Sequence, residues 1–170
     1  MKSKNILFTQ KEKVELREEE VGAPGAGEVL CAAEKSLISI GTELNCLKGI
    51  FDAGTNWEDW VMYPFNPGYS MSARVIAVGR DVSVYHEGDR VAVPTTHNQF
   101  FLAKEKELHK IPDGVSDEDA TWMTIAKITQ LGVRRAELKL GETVGVIGMG
   151  VLGQLVVQYL KNMGAGKIIA

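Results

Sequence analysis

The feature that most constrains this 170-residue chain is a glycine-rich run near its C-terminal end, Gly148-Met149-Gly150-Val151-Leu152-Gly153. Residues 143–147 precede the run and predict a buried strand, and residues 151–163 carry apolar side chains at helical spacing. Gly164 then stands where a helix C-cap glycine is expected, and residues 167–170 begin a second strand. The segment therefore predicts a β-α-β unit with its glycines at the turn between strand and helix.

Each glycine of this turn has a separate predicted role. Gly148 allows a tight turn out of the strand, Gly150 allows the backbone to approach a pyrophosphate, and Gly153 allows the helix to pack against the strand. Backbone N–H groups and the dipole at the helix start favour the anion. A glycine-rich turn in some other α/β protein is the alternative, but the order of elements favours a site for NAD or NADP.

The residue that would distinguish NAD from NADP is not within these 170 residues. An acidic side chain that binds the ribose hydroxyl is expected about 20 positions after the glycines, which is just past Ala170. Two parallel strands also do not make a doubly wound domain. We therefore expect the chain to be truncated within its nucleotide-binding domain and to be inactive alone.

The chain before residue 112 is rich in short β-type runs separated by turn residues, which predicts a barrel or sandwich. The runs are residues 6–8, 14–16, 28–40, 72–78, 90–93, 99–103 and 108–111. After Pro112-Asp113-Gly114 the pattern becomes helical. Ser116 is a predicted N-cap with Asp119 completing a capping box, and the helix should continue to about Leu138 with a break near Gly132.

Composition excludes several classes of function. A net charge of −3 with scattered basic residues argues against a nucleic-acid partner or an acidic membrane surface. No run approaches the ~20 apolar residues of a membrane span, and no signal peptide precedes the two cysteines. We therefore expect a cytoplasmic protein with two free thiols.

Five stretches in a fixed order resemble the medium-chain dehydrogenase/reductase family. They are Ala26-Gly27-Glu28-Val29-Leu30, Ser39-Ile40-Gly41-Thr42-Glu43-Leu44-Asn45 with Lys48-Gly49, Pro67-Gly68-Tyr69 running to Val78-Gly79, Glu87-Gly88-Asp89-Arg90-Val91, and Gly132-Val133-Arg134-Arg135-Ala136 with the glycine turn. The resemblance implies a mixed α/β chain. Residues 1–125 would form a GroES-like β-rich barrel domain with the catalytic residues, and residues 126–170 the first β-α-β unit of a Rossmann domain.

The chain departs from the zinc-dependent members of that family at every metal-ligand position. Ile40 replaces a cysteine, Tyr69 and Ser70 replace His-Glu, and Thr124 aligns with the third ligand. Residues 94–101 lack the four cysteines of the structural zinc site. We therefore expect no zinc. His86, His97 and His109 show no ligand spacing and are interpreted as surface or loop residues.

Candidate catalytic residues come from the same resemblance. Thr42 stands where the family has a proton-relaying hydroxyl, and Tyr69 and Thr124 would line the same space. Glu43 and Lys127 are near in the alignment and could titrate. Packing or a surface salt bridge is the alternative role for each of the five.

The sequence thus supports a zinc-independent NAD(P)-dependent oxidoreductase that transfers hydride to or from an alcohol, carbonyl or enone-type small molecule. A non-catalytic nucleotide-binding or interaction protein on the same fold is the alternative. Exposed apolar surface leads us to expect a homo-oligomer. The aromatic segment 57–65 would either wall a substrate pocket or form a satellite core or subunit contact, and the second is slightly favoured.

Overall fold

The computed structural model describes all residues from 1 to 170, and the chain divides into two compact units. The first unit is Met1–Trp122 and the second is Met123–Ala170. The first is mainly antiparallel sheet with three short α-helices, and the second contains two helices and a parallel strand pair. The mixed α/β fold predicted from the sequence is thereby confirmed.

The first unit contains a hairpin and a five-stranded antiparallel sheet. The hairpin pairs β1 (Lys2–Gln10) with β2 (Lys13–Glu20). The sheet has the order β6-β3-β4-β5-β7. Its strands are β3 (Glu28–Ser36), β4 (Met71–Val78), β5 (Arg90–Val93), β6 (Phe100–Lys104) and β7 (His109–Lys110). Isolated bridges join Asn5 to Asn98 and Phe8 to Phe65, and these bridges tie the hairpin to segments outside the named strands.

The main core lies on one face of the sheet, because successive side chains of a strand point to opposite faces and the core members stand at every second position of their strands. Val29 and Cys31 of β3 are fully buried, as is Ala73 of β4. The other buried members are Met71, Val75, Tyr85, Val91, Val93, Phe101, Ala103 and Leu108. The Tyr85 hydroxyl donates to the Leu108 carbonyl at 2.6 Å, so the one phenol in this core has its partner.

The predicted strand over residues 28–40 is too long. β3 ends at Ser36, and α1 (Ile40–Lys48) begins four residues later. The Ser39 N–H donates to the Glu43 carboxylate at 2.7 Å, and the Glu43 N–H donates to the Ser39 carbonyl at 2.8 Å. These local hydrogen bonds favour a helical turn over continued β structure. Gly49 ends the helix in the left-handed conformation with φ 60°.

A second short helix, α2 (Asn56–Trp60), lies in the aromatic segment, where no helix was predicted. Trp57 packs beside Phe51 with ring centroids 6.3 Å apart, and Trp60 meets Phe65 edge to face at 5.2 Å. Phe65 belongs to a second buried cluster with Phe8, Cys46 and Val61. Part of the segment therefore forms a satellite core, which is one of the two predicted roles.

The helix start at Ser116 is confirmed, but the predicted break near Gly132 is wrong. The Ser116 hydroxyl accepts from the Asp119 N–H at 2.9 Å at the start of α3 (Asp117–Ala120). The break lies after Ala120, before α4 (Met123–Arg135). Gly132 continues that helix because a glycine inside a helix weakens it without ending it. The helical pattern stops at Arg135 instead of Leu138, since Glu137 adopts a positive φ of 52°.

In the second unit, β8 (Thr143–Gly145) and β9 (Lys167–Ile169) form a parallel pair linked by α5 (Val151–Asn162), and α4 packs on α5. β8 is shorter than the predicted 143–147 and is not a buried strand. Its residues are exposed or half-buried because its sheet contains only one other strand. Gly164 adopts φ 86° after the helix, as expected of its C-terminal glycine. None of the helices has both the length and the apolar character required to cross a bilayer.

Candidate active site

Two predicted catalytic hydroxyls, from distant stretches of sequence, meet in the first unit. Thr42 lies in the first turn of α1, and Tyr69 lies two residues before β4. The Tyr69 hydroxyl donates to Thr42 Oγ1 across a long 3.4 Å contact. Both residues are half-buried. The Thr42 proton therefore remains available to a second acceptor, such as the oxygen of a bound small molecule.

Glu43, the third predicted residue on this unit, is buried and paired. Only 6% of its surface is exposed, and its Oε2 lies 2.8 Å from Nε2 of His97, which is equally buried. Its other oxygen accepts the Ser39 N–H at the start of α1. A buried carboxylate needs such partners because an unpaired one would carry a large desolvation cost.

His97 was predicted to be a surface or loop residue; it lies in the loop between β5 and β6, but it is buried and not at the surface. Its Nδ1 lies 2.9 Å from the Ser36 hydroxyl, so both ring nitrogens have protein partners. The predicted exposure of His86 and His109 is correct. The available signal lay in α1, where Glu43 shares a helical stripe with Leu47 and so required a buried partner. Which histidine supplied it depended on a contact spanning 54 residues of sequence.

A pocket of about 280 Å³ opens beside the His97–Glu43 pair. Apart from that pair its walls are apolar. They come from the hairpin, from α1 and the residues before it, and from the segment before β4, and comprise Ile6, Phe8, Val14, Ile38, Ile40, Leu44, Leu47 and Pro67. Ile40 is the residue that replaces a zinc-binding cysteine in the predicted alignment, and 72% of it is exposed.

A second pocket, of about 480 Å³, lies one helical turn along α1 from Thr42. It is lined by Asn45, Ile50, Phe51, Asp52, Thr55, Asn56 and Trp57. Asn45 follows Thr42 by three positions, which places both residues on one side of the helix. Trp57 therefore lines a pocket, whereas Phe65 lies in a buried cluster. That this pocket takes a substrate stays a prediction.

The nearby thiol is an unreactive group. Cys46 is buried on α1, and burial, together with the negative charge of Glu43, raises its pKa to about 11. The Cys46 carbonyl accepts a 2.6 Å hydrogen bond from the Tyr63 hydroxyl. Cys46 therefore acts as a small apolar side chain that fixes the inner face of the helix.

Thr124 and Lys127, the remaining predicted catalytic residues, both lie on α4 of the second unit. Thr124 is half-buried in the first turn, and Lys127 is exposed. The structure thus brings three of the five candidates together within one unit, namely Thr42, Glu43 and Tyr69.

The glycine turn of the second unit has the geometry that its sequence predicted. Gly148 has φ 94°, a conformation that L side chains rarely adopt. A Cβ on Gly153 would lie 1.9 Å from the Gly148 carbonyl oxygen, so only glycine fits there without a backbone shift. Gly150 is the N-cap of α5, and a Cβ on it would meet no atom within 4 Å. No side chain caps this helix, and no acidic residue lies in its first turn. The turn thus presents an open, uncapped helix start.

Comparison with known proteins found no matching family model, but it found many related sequences. The chain is 27% identical over 190 residues to the Escherichia coli zinc-type alcohol dehydrogenase-like protein YphC, covering 92% of this chain and 54% of that protein. It is 32% identical over 108 residues to D-guloside 3-dehydrogenase of Escherichia coli, covering 62% of this chain and 31% of that enzyme. The chain thus spans about half or less of the length of these curated relatives.

Solved structures show the same fold. The 2R,3R-butanediol dehydrogenase of Bacillus subtilis superposes with a TM-score of 0.83 at 22% identity, over 98% of this chain and 56% of that enzyme. The Helicobacter pylori protein CAD, solved with NADP(H), gives 0.81 at 18% identity, over 99% and 58%. The chain is a homologue of the medium-chain dehydrogenases and reductases.

At three predicted zinc-ligand positions, namely Ile40, Tyr69 and Ser70, the side chain either has no donor atom or has another partner. Over residues 1–170, no group of three His, Cys, Asp or Glu side chains is arranged to hold a metal ion. Ile40 has no donor atom, and Tyr69 bonds to Thr42. Ser70 is buried with its hydroxyl donating to the Thr121 carbonyl. Two of these three positions therefore carry hydroxyl groups, which are poor ligands for zinc beside cysteine, histidine and carboxylate.

Proposed function

We propose that the protein is a zinc-independent, NAD(P)-dependent oxidoreductase that transfers hydride between the nicotinamide and an alcohol, carbonyl or enone-type small molecule. The observation that carries the proposal is the glycine turn before α5, where Gly153 packs against the Gly148 carbonyl with no room for a side chain. Related dehydrogenases and a neighbouring structure solved with NADP(H) support the same assignment.

The residues present fit a dinucleotide. The backbone of Gly148, Met149, Gly150, Val151, Leu152 and Gly153 would hold the pyrophosphate at the start of α5, where the helix dipole favours an anion. The open space above Gly150 is the point of close approach. When bound, the nicotinamide ring supplies or accepts the hydride, and this chain supplies the groups that bind and polarise the substrate oxygen.

The Thr42–Tyr69 pair is the proposed polarising group. Because Thr42 Oγ1 accepts from the Tyr69 hydroxyl, its own proton can be donated to a carbonyl oxygen, and the two bonds strengthen each other. As the oxygen gains negative charge during reduction, these donors stabilise it without a metal ion.

The absence of zinc is part of the proposal and follows from donor chemistry. Ile40 and Ser70 occupy ligand positions in the alignment, yet one has no donor atom and the other bonds to the backbone. The relatives that act on D-guloside and on butanediol make secondary alcohols the first substrates to test, and quinone oxidoreductase-like relatives make enones the second.

The test uses the full-length protein, prepared in the presence of a zinc chelator. We expect saturable NADH or NADPH binding, followed by turnover of a secondary alcohol, carbonyl or enone that persists after chelation. Tyr69→Phe and Thr42→Val should each lower kcat by about 10²-fold while leaving the nucleotide Kd unchanged. His109→Gln, on the exposed edge strand β7, is the matched control and should behave as wild type.

Two results would overturn the proposal in different ways. Binding of nucleotide with no turnover of any of these substrate classes would favour the non-catalytic nucleotide-binding alternative. Activity that disappears on chelation and returns with Zn²⁺ would show that the protein uses metal-dependent chemistry at the same fold.

A further inference from the structure

We propose that His97 is a positioning residue that fixes the distance between the Thr42 and Tyr69 hydroxyls. This inference rests on the proposed function, in which those hydroxyls polarise the substrate oxygen. His97 lies between β5 and β6, on neither of the segments that carry the two hydroxyls. It contacts the residue adjacent to each of them.

The first contact fixes the position of the Thr42 hydroxyl. His97 Nε2 lies 2.8 Å from Glu43 Oε2, and the other Glu43 oxygen accepts the Ser39 N–H at 2.7 Å. Glu43 is the next residue after Thr42 in the first turn of α1. The imidazole therefore holds the carboxylate that closes this turn, and the orientation of the turn determines where the Thr42 hydroxyl points.

The second contact controls Tyr69. The His97 N–H donates to the Pro67 carbonyl at 2.9 Å, and Gly68 follows with φ 98°. A Cβ on Gly68 would lie 2.8 Å from the backbone nitrogen of His97 and 2.9 Å from the ring carbons Cγ and Cδ2 of His97. The ring thus packs directly on the α-carbon of the residue before Tyr69.

The ring itself is held in one orientation. His97 Nδ1 lies 2.9 Å from the Ser36 hydroxyl, and the side chain is 5% exposed. With Nε2 on Glu43 and Nδ1 on Ser36, neither nitrogen is left for a substrate. His97 therefore acts through Glu43 and Gly68, as a positioning residue, and not as a group that contacts the reacting atoms.

Three substitutions separate these contacts in the full-length protein. His97→Phe keeps a ring against Gly68 and removes both polar contacts. His97→Gln keeps a donor that can reach Glu43. His86→Gln changes an exposed histidine and is the control. We expect His97→Phe to lower kcat by about 10²-fold with little change in nucleotide KM, because small misplacements of catalytic groups have effects of this size. His97→Gln should recover much of the loss.

A double-mutant cycle distinguishes positioning from a general effect on folding. In the Tyr69→Phe background the pair is already broken, so His97→Phe should cause little further loss of kcat. Fully multiplicative losses in the two variants would overturn the proposal. A thermal unfolding curve identifies any variant that fails to fold. If His97→Phe does not fold, Ser36→Ala, which removes the partner of His97 Nδ1 and keeps the ring, replaces it in the cycle.

A readout independent of turnover keeps this inference separate from the proposed function. We expect the NMR signal of the Thr42 methyl group to shift in His97→Phe and to remain near its wild-type position in His97→Gln. An unshifted Thr42 methyl in folded His97→Phe would refute positioning, whether or not the wild-type protein turns over a substrate. If the wild-type protein is inactive while the methyl group shifts as expected, the proposed function fails and the His97 contact stands.

Discussion

Replacing Gly153 by alanine should destabilise the second unit and disrupt nucleotide binding, although alanine is the better helix former. The added Cβ would lie 1.9 Å from the Gly148 carbonyl oxygen and 3.0 Å from the Gly148 carbonyl carbon. Non-bonded heavy atoms prefer about 3.5 Å, so one backbone segment must move by roughly 1.5 Å. No side-chain rotation can relieve the contact, because both partners are backbone atoms.

The expected magnitude follows from two opposing terms. Overpacking of this kind costs about 1–3 kcal/mol, and a clash with backbone belongs at the upper end of that range. Alanine regains up to about 1 kcal/mol over glycine inside a helix. The net loss is then about 2 kcal/mol, which corresponds to roughly a thirtyfold change in the opening equilibrium of α5.

Gly150→Ala is the matched control. Gly150 has φ −71° and ψ −170°, which alanine adopts without strain, and its Cβ would meet no atom. We expect a change in stability within about 0.5 kcal/mol but weaker nucleotide binding, since the methyl group occupies the approach to the pyrophosphate.

Amide hydrogen exchange of α5 measures the stability of this unit, and titration of NADH and NADPH against the full-length protein measures binding. We expect the amide hydrogens of α5 to exchange faster in Gly153→Ala only, and the nucleotide to bind more weakly in both variants. If Gly153→Ala exchanges as slowly as wild type, the packing at Gly148 does not constrain the turn, and the reasoning is refuted.

Two further predictions concern the first unit. Burial and the charge of Glu43 raise the pKa of Cys46 to about 11, so this thiol should resist alkylation at pH 8 in the native state and react once denaturant unfolds the unit. Mass spectrometry follows the labelling, and rapid labelling of the native protein would contradict this burial. The pKa of Asp89 is lowered first by the His86 N–H and then by the bond to Lys110, so its carboxylate stabilises the fold at neutral pH. Asp89→Asn should therefore lose up to about 1 kcal/mol at pH 7, and urea titrations should show this difference vanish as the pH falls below the folded-state pKa of Asp89; a pH-independent difference would exclude the charge as its cause.

Much of the fold could be predicted because its signals are local. The short β-type runs of β4 and β5, the Ser116 cap and the helical spacing of α5 each lie within a few residues of the element that they specify. The errors arose where a local apolar run was ambiguous. The apolar composition of residues 37–40 predicted a longer β3, but the hydrogen bonds between Ser39 and Glu43 end the strand and begin a helix. The signals available for α1 were the N-cap residue Ser39 and the C-cap residue Gly49.

The candidate site shows the same difference between local signals, which could be predicted, and distant contacts, which could not. The glycine turn is a continuous motif, and the sequence predicted its conformation directly. Thr42 and Tyr69 were found through family resemblance, and their contact across 27 residues is a product of folding. His97 carries no motif, and its role depends on Ser36, Glu43 and Gly68, which lie at three other places in the sequence.

The buried His97–Glu43 pair is better explained by geometry than by stability. A buried polar pair must recover the hydration that it loses, and apolar side chains of similar volume often stabilise a core as well or better. Apolar contacts, however, are not directional, whereas Glu43 and Ser36 fix both nitrogens of the ring in direction as well as distance. A chain that polarises a substrate oxygen with two neutral hydroxyls depends on their spacing more than one that uses a metal ion, because a hydrogen bond weakens steeply with distance and angle. In the proposed zinc-independent site, the polar network under Thr42 and Tyr69 would therefore do the positioning that a bound metal ion does elsewhere.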